Sequence, residues 1–273
     1  MPLRKKANIG NGSKMRSYFA IFLILGVVTS SIGQKFHLRS GIGMSSINWY
    51  ENQSTANFSI QLTYQKKDAS VLYYGELKTL GNLIDSKVDP LKYEFIPIIG
   101  SNGQVMPTEL DVNQLSAYYR GGSMELGIQM NQKKGKKNAY ISPEVSLYSI
   151  SLARKISTEK THYVEEEKYA LHGLSSGLGL HIPGKTKVVF RSKLFIPLLT
   201  NFTLYGRYVG VPYENSNQEI NLCYRNNVEF SFKKFNVSVD YDVFNLGKSE
   251  NLKSKTIPAS SNKLFSVYLN YLF

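Results

Sequence analysis

Apolar and polar residues alternate along most of the chain from residue 34 to residue 273, in segments that turn-forming residues separate. Successive side chains of a β-strand point to opposite faces of the sheet, so each segment predicts a strand with one apolar and one polar face. About ten strands are predicted in this way. The predicted strands are 35–48, 56–66, 69–80, 117–131, 138–152, 169–182, 186–197, 219–232, 235–246 and 263–273.

Two segments leave the regularity and the number of these strands open. The alternation in 138–152 slips in phase near Ser149, which predicts a β-bulge at that position. Residues 198–217 are compatible with an extension of the preceding strand followed by a loop, or with a further strand at 202–211. If that segment and 91–99 both pair, the sheet has twelve strands.

The predicted connections alternate between tight turns and long loops, and only the first is of intermediate length. Successive connections of an antiparallel sheet lie at opposite ends, so one end would carry the tight turns and both termini. This arrangement, with an even number of strands, is typical of an antiparallel up-and-down transmembrane β-barrel, and a secreted β-sandwich is the alternative. The tight turns lie at Lys67, Gly135, Gly184 and Lys233, and the long connections at 81–116, 154–168, 198–217 and 247–261.

The faces opposite the apolar sets carry most of the charged residues of the predicted strands. A ten-stranded barrel has a narrow interior, which side chains of both signs can fill through ion pairs and hydrogen bonds. We therefore expect structural filling of the lumen, with a selective conduit as the alternative. The predicted lumen-facing residues are Arg39, Glu76, Lys78, Glu125, Glu144, Arg191, Lys193, Arg225, Glu229, Asp240 and Asp242. The aromatic residues expected at the two membrane interfaces are Trp49, Tyr50, Tyr73, Tyr118, Tyr119 and Tyr271.

The first 33 residues differ from the rest of the chain. Residues 1–14 are polar and basic, residues 18–28 form a short apolar run, and residues 31–33 are compatible with a cleavage site. This order predicts a cleaved signal peptide with a polar N-terminal extension, followed by one barrel domain over 34–273. The formal net charge of the chain is +13. No other apolar run approaches the roughly 20 residues of a membrane-spanning helix, so a mature membrane protein would have to be a barrel.

Little in the sequence indicates catalysis or metal binding. Cys223 is the only cysteine, which excludes an intramolecular disulfide. No nucleophile elbow, P-loop or dinucleotide-binding motif is present, and no basic helix indicates nucleic-acid binding. His162 beside Glu165–Glu167, in a predicted outer loop, is the best local candidate for a hydrolase or divalent-cation site, against the simpler interpretation as a solvated charged loop. We expect no enzyme activity, no catalytic or metal site and no cofactor.

The last eleven residues carry the most specific signal. One face of this predicted strand is entirely apolar and aromatic, and the chain ends on Phe273. Such a strand resembles the sorting signal of bacterial outer-membrane β-barrels, which implies that the barrel-assembly machinery reads it and that it closes the barrel against the first strand. The residues of this signal would be Phe265, Val267, Leu269, Tyr271 and Phe273.

With the signal peptide, the strand series and the loop asymmetry, residues 34–273 resemble the small outer-membrane β-barrel proteins of Gram-negative bacteria. The resemblance implies an outer-membrane location and contact with outer-membrane lipid. Our first hypothesis for its function is a non-enzymatic structural or binding role. That role would use the long extracellular loops, with an extracellular or periplasmic protein as a further partner. A narrow porin-like channel for small solutes, an accessory barrel of a secretion system and a rim-sited lipid- or peptide-hydrolysing enzyme are the alternatives.

Overall fold

The computed structural model of the chain contains ten long strands in one antiparallel sheet. It describes residues 35–49, 52–66, 69–82, 86–87, 116–130, 138–157, 164–206, 213–215, 221–247, 249–250, 256–257 and 260–273. The long strands are β1 (Lys35–Asn48), β2 (Asn52–Gln65), β3 (Val71–Asn82), β4 (Ser116–Met130), β5 (Tyr140–Ser157), β6 (Val164–Ile182), β7 (Lys187–Gly206), β8 (Cys223–Phe232), β9 (Phe235–Leu246) and β10 (Ser260–Leu272). Four short strands lie at Ser86–Lys87, Tyr213–Asn215, Ser249–Glu250 and Thr256–Ile257.

The sheet closes on itself because the last strand pairs with the first. Each long strand pairs with its neighbours in sequence, and β10 pairs with β1 from Lys263 opposite Asn48 to Leu272 opposite Arg39. A closed sheet has no open edge, which is the condition for β-structure in hydrocarbon. The prediction of an all-β, ten-stranded antiparallel barrel is therefore confirmed. No helix among the described residues is long and apolar enough to cross a membrane.

The twelve-strand alternative is wrong, because residues 202–206 continue β7 and form no additional strand. The other segment on which that alternative depended, 91–99, lies outside the described residues, as does the predicted signal peptide. Both chain ends of the barrel and the connections after β2, β4, β6 and β8 lie at one end, here called the turn end. The opposite end, which holds the connections after β1, β3, β5, β7 and β9, is called the loop end.

Large apolar side chains cover the outside of the barrel on every strand. Ile42 is 67% exposed, Leu147 62% and Leu199 69%, although these are among the residue types most often buried in proteins. Monomeric soluble proteins rarely expose a continuous apolar surface of this extent. An uncharged apolar belt around a closed barrel is the surface that lipid requires.

Strands β5, β6 and β7 are longer than the sequence predicted, with 18, 19 and 20 residues. The bounds of the predicted polar loop at 154–168 are wrong, because β5 continues to Ser157 and β6 begins at Val164. About 9–11 residues suffice to cross a bilayer, so these strands rise beyond the apolar belt at the loop end. There the outward face meets water, and charged residues such as Arg120 and Glu166, which form an ion pair of 2.7 Å, replace apolar ones.

The irregularity of the sheet lies in β7 and not in β5. The pairing of β5 with both of its neighbours runs through Ser149 without a change of register, so the predicted bulge at that position is wrong. The register shifts between β6 and β7 instead, where Gly173 pairs with Pro197 and His172 with Leu199. Pro197 has no amide hydrogen to donate to a ladder, which makes this a favourable place for an extra residue.

The seam between β10 and β1 depends on a close approach at Gly41. Asn270 extends over this glycine and joins three strands: it accepts from the Ser59 hydroxyl of β2 at 2.9 Å and donates to Asn236 of β9 at 3.1 Å. A Cβ atom on residue 41 would lie 1.9 Å from Asn270 Oδ1 and 2.8 Å from the carbonyl oxygen of Leu269. The glycine therefore leaves the space through which the closing strand is fastened.

Candidate functional site

The interior of the barrel has two chemically different halves. Charged and amide side chains fill the half near the turn end, which we call the polar layer. Apolar and aromatic side chains fill the half near the loop end, which we call the apolar plug. Both point inward from the same alternating positions of the strands, because the period of two continues through the change of chemistry.

Glu125 of β4 is the centre of the polar layer. Its carboxylate accepts from Lys193 Nζ, from Arg225 Nη1 and from the Tyr74 hydroxyl, each at 2.9 Å, and from the Ser146 hydroxyl at 2.7 Å. These donors come from β7, β8, β3 and β5, so the contacts cross the lumen. A buried carboxylate is tolerated when charged donors and hydrogen bonds saturate it, as they do here.

The network continues from Glu125 toward the turn end as a chain of alternating charges. Lys193 also binds Glu144 at 2.9 Å, and Glu144 binds Arg191 at 3.2 Å. Arg191 in turn binds Glu229 at 2.6 Å, and Glu229 accepts from Arg39 at 2.5 Å. The ion pairs therefore connect β1, β5, β7 and β8 through the interior and do not depend on sheet neighbours alone.

A second group lies beside this chain. Lys78 binds Asp240 at 2.8 Å and Glu76 at 3.0 Å. Asp242 lies 3.8 Å from Arg225 Nε, an atom that is buried and has no hydrogen-bond partner in the described part of the chain. Opposite charges are thus matched within a few ångströms throughout the layer. All eleven charged residues predicted to face the lumen line one cavity in this layer.

The cavity has a volume of about 380 Å³ and extends to the turn end of the barrel. Tyr140, His181 and Lys187, which lie at the turn-end termini of their strands, form part of its lining. The His181 ring is stacked on Tyr140 with 4.5 Å between ring centres, and its Nε2 atom lies 2.7 Å from the Ser142 hydroxyl and 3.1 Å from Gln129. Ser142 is completely buried, whereas His181 lies in the lining of the cavity.

The apolar plug joins opposite walls of the barrel. The Trp49 ring, at the end of β1, meets the Tyr169 ring of β6 edge-on with 4.7 Å between centres, and Asn262 of β10 donates to the Tyr169 hydroxyl at 2.5 Å. Lower in the plug, Tyr148 packs against Phe195 at 5.0 Å. The buried residues of the plug are Ile47, Trp49, Ala117, Tyr119, Tyr148, Ile150, Leu152, Tyr169, Leu171, Phe195, Phe202, Cys223, Phe244, Leu246 and Leu264.

The sequence did not predict the plug. Trp49 and Tyr119, expected at a membrane interface, are buried inside it, whereas Tyr73 and Tyr271 lie on the outer surface. Tyr119 lies on the face of β4 that carries Glu125, so its inward direction follows from the alternation. The available signal was the series Tyr148, Ile150 and Leu152, which occupies the same face as Glu144.

The outer surface carries an aromatic band at the turn end. Phe36 and Tyr64 lie 4.6 Å apart between ring centres, and Tyr64 and Tyr73 lie 6.0 Å apart. On the other side of the seam, Tyr271 lies 5.4 Å from Phe235 and 5.0 Å from Phe273. Aromatic residues in this position mark the boundary between hydrocarbon and headgroups.

The residues of the predicted C-terminal signal lie in this outer surface. Phe265, Val267, Leu269, Tyr271 and Phe273 point outward from β10 and from the residue that follows it. The backbone amide of Phe273 donates to the carbonyl of Leu38 at 3.0 Å, and the amide of Leu272 donates to the carbonyl of Lys234 at 2.8 Å. The end of the chain is thus bound to the first strand and to the turn between β8 and β9. Its recognition by an assembly machinery stays a prediction.

The candidate chemical site at the loop end is not assembled by the described residues. His162 lies outside them. Of the three glutamates, Glu166 pairs with Arg120 and Glu167 with Arg154 at 3.3 Å. No group of three or more His, Cys, Asp or Glu side chains that could hold a metal ion occurs in the described ranges.

No protein-family model and no curated protein matches the chain. Among solved structures, it is similar to the translocator domain of the autotransporter NalP from Neisseria meningitidis, with 10% identity, 95% of this chain and 96% of that chain covered and a TM-score of 0.45. It is also similar to the outer membrane protease OmpT from Escherichia coli, with 9% identity, coverage of 90% and 100% and a TM-score of 0.48. A third similar structure is Ail, the attachment invasion locus protein of Yersinia pestis, with 10% identity, 88% of this chain and 99% of that chain covered and a TM-score of 0.38. At such values the role of this barrel rests on its own residues.

Proposed function

We propose that this chain is a non-enzymatic integral outer-membrane β-barrel whose lumen is closed, and that it acts through its loop end in a structural or binding role. The observation that carries the proposal is the apolar plug. Trp49, Tyr169 and Asn262 join opposite walls of the barrel at the end where a channel would have to open. Loops held on a rigid scaffold are the usual place for recognition.

The polar layer supports the same proposal. In a conduit, a charged side chain must be able to release its ion-pair partner and bind the passing solute instead. The carboxylates of Glu125 and Glu229, however, are each bound by two cationic side chains within 3 Å. Breaking a buried ion pair so that one charge remains unpaired costs about 3–5 kcal/mol, and this cost opposes such an exchange. The cavity then serves as a hydrated pocket at the turn end and ends at the plug.

The location is supported by the apolar belt, the aromatic band and the closed sheet. In the membrane, the turn end would face the periplasm and the raised strands β5–β7 the cell exterior, in the orientation that outer-membrane barrels adopt. Outer-membrane lipid and, during biogenesis, the barrel-assembly machinery are the partners that this location requires. A protein partner would bind at the loop end, where the wall formed by these three strands rises above the belt.

The experiment is a pair of measurements on one preparation. Membranes are fractionated, and the detergent-extracted protein is run on SDS gels with and without boiling, then added to planar lipid bilayers. We expect outer-membrane protein that changes mobility on boiling and gives no stepwise conductance. Regular conductance steps from the heat-shifting species would contradict the closed lumen and favour the narrow channel. A soluble product without a mobility shift would contradict the membrane location.

A further inference from the structure

The turn end of the barrel carries an unusually one-sided charge. The four connections at this end, 66–70, 131–139, 183–186 and 233–234, contain nine Lys and a single Asp. Of these, 131–139 lies largely outside the described residues and is not used further. The exposed lysines of the other three connections that the structure describes are Lys66, Lys185, Lys233 and Lys234, which we call the lysine rim.

The charges of the lysine rim are separate from those of the lumen. Glu76, Glu125, Glu144, Glu229 and Asp240 are each paired with interior cations. Within the described ranges, no ion pair involves any lysine of the rim. The rim is therefore a surface of uncompensated positive charge, and such a surface attracts an anionic partner.

The turn between β8 and β9 has a lysine at a backbone position that glycine would adopt at lower cost. Lys233 has a φ angle of 50°, the left-handed region that glycine adopts without a penalty. A side chain there costs on the order of 1 kcal/mol, and Gly or Asn is the usual residue in a two-residue hairpin. The turn is Phe232-Lys233-Lys234-Phe235, so a strained position holds a charge between two half-exposed aromatic rings.

The aromatic band identifies the class of the partner. Lys234 Nζ lies 5.9 Å from the centre of the Tyr271 ring, which contacts Phe235 and Phe273. If the band lies at the hydrocarbon boundary, the rim lies directly outside it, at the depth of the phosphates of the adjacent leaflet. We propose that the lysine rim binds anionic phospholipid headgroups of the leaflet at the turn end. This inference rests on the membrane location proposed above.

The test measures lipid selectivity around the barrel. The full chain is reconstituted in phosphatidylcholine bilayers that contain a trace of spin-labelled phosphatidylglycerol or spin-labelled phosphatidylcholine, and the motionally restricted fraction of each label is compared. A lysine near an anionic surface contributes about a fivefold change in binding. We expect a severalfold preference for phosphatidylglycerol, which 0.5 M salt reduces because it shortens the screening length to a few ångströms.

Two triple variants separate the rim from surface lysines in general. Lys185→Gln with Lys233→Gln and Lys234→Gln removes three rim charges and should bring the preference close to one. Lys155→Gln with Lys168→Gln and Lys263→Gln removes three outward charges at the loop end and should leave it unchanged.

If the heat-shifting wild-type barrel restricts both labels equally, the lysine rim does not bind anionic headgroups selectively, and the proposed membrane location is unaffected. Equal losses in the two triple variants would overturn binding by the lysine rim as well. A chain that does not insert into bilayers would overturn both proposals.

Discussion

The guanidinium carbon of Arg225 lies 3.5 Å from the centre of the Tyr148 ring. This contact is the boundary between the two halves of the lumen, because the same guanidinium binds Glu125 in the polar layer while the same ring packs on Phe195 in the plug. A cation over an aromatic face is stabilised by up to about 2 kcal/mol when it is removed from water. The stacking of Arg225 on Tyr148 thus joins the polar layer directly to the apolar plug.

Removing the Arg225 charge should destabilise the barrel strongly. In Arg225→Gln, Glu125 retains Lys193 but loses its second cation, and Asp242 loses the only cation that lies within 4 Å of it among the described residues. Breaking a buried pair on one side costs about 3–5 kcal/mol, because the remaining charge stays desolvated. The measurement is the midpoint of urea unfolding in a defined detergent, followed by the loss of the unboiled gel band.

A second substitution tests whether the uncompensated carboxylate causes this loss. The double variant Arg225→Gln with Asp242→Asn removes the charge that the single variant leaves unpaired, and it should recover part of the stability. Tyr148→Phe serves as the control, because it keeps the ring under the guanidinium and should change the midpoint by much less. Equal midpoints for wild type and Arg225→Gln would show that the network does not hold the walls together.

Opening the plug should convert the closed barrel into a leaky one. Trp49→Ala with Tyr169→Ala removes two rings that meet across the lumen and leaves the Asn262 amide without its acceptor. We expect irregular conductance in planar bilayers, and a stability loss of about 3–5 kcal/mol for each large-to-small change. Tyr73→Ala, which removes an aromatic ring from the outer surface, should remain silent in the same bilayer assay. Silence of the plug variant, once its heat-shifting band is present, would count against the plug as the seal.

The alternation with a period of two predicted most of the fold, because the outer face of the barrel is apolar and the inner face is polar over most of the barrel's height. Apolar residues such as Leu126 and polar ones such as Glu125 then occupy opposite faces, so the alternation identifies the strand and the face to which each side chain points. Closure by β10 was implied by the resemblance of the terminal strand to the sorting signal of outer-membrane barrels, and the pairing of β10 with β1 confirms it.

The same period failed where the contrast between the faces reverses. Above the belt the outward residues are charged, as Arg120 and Lys168 are, and the inward residues Leu152 and Tyr169 are apolar. A pattern that assigns apolar residues to the outside therefore finds a bulge or a loop there. Cross-lumen contacts such as that between Trp49 and Tyr169 depend on tertiary geometry, and alternation along single strands carries no information about them.

Filling the space at Gly41 should weaken the seam that closes the barrel. In Gly41→Ala the new methyl group would meet Asn270 and the backbone oxygen of Leu269, so β10 must move away from β1 or Asn270 must release its partners on β2 and β9. Overpacking of this kind costs about 1–3 kcal/mol. We expect a lower urea midpoint and a lower temperature for loss of the unboiled band.

The matched control for the seam is Gly75→Ala in β3. There the atom nearest to the new methyl group would be the end of the flexible Leu126 side chain at 3.1 Å, and the nearest backbone oxygen would be 3.9 Å away. This variant should lose little or no stability, because the side chain can move by a few tenths of an ångström. If the two alanine variants unfold together, the close approach at Gly41 is not what fastens the last strand to the first.

Truncating the terminal aromatic residue should separate assembly in the cell from stability in vitro. Phe273→Ala keeps the backbone bond to Leu38 and removes only a ring that is exposed on the outer surface and touches Tyr271. A purely structural ring of this kind contributes about 0.5–1.5 kcal/mol through its aromatic partner. If the terminal strand is the signal that an assembly machinery reads, the amount of heat-shifting protein in cell membranes should fall several-fold. The urea midpoint of the protein refolded in detergent should change little.

Phe235→Ala, which removes another exposed ring in contact with Tyr271, is the control and should leave the cellular amount near that of wild type. Equal reductions in cells for both variants would assign the effect to the aromatic band and contradict a recognition role for the C-terminus.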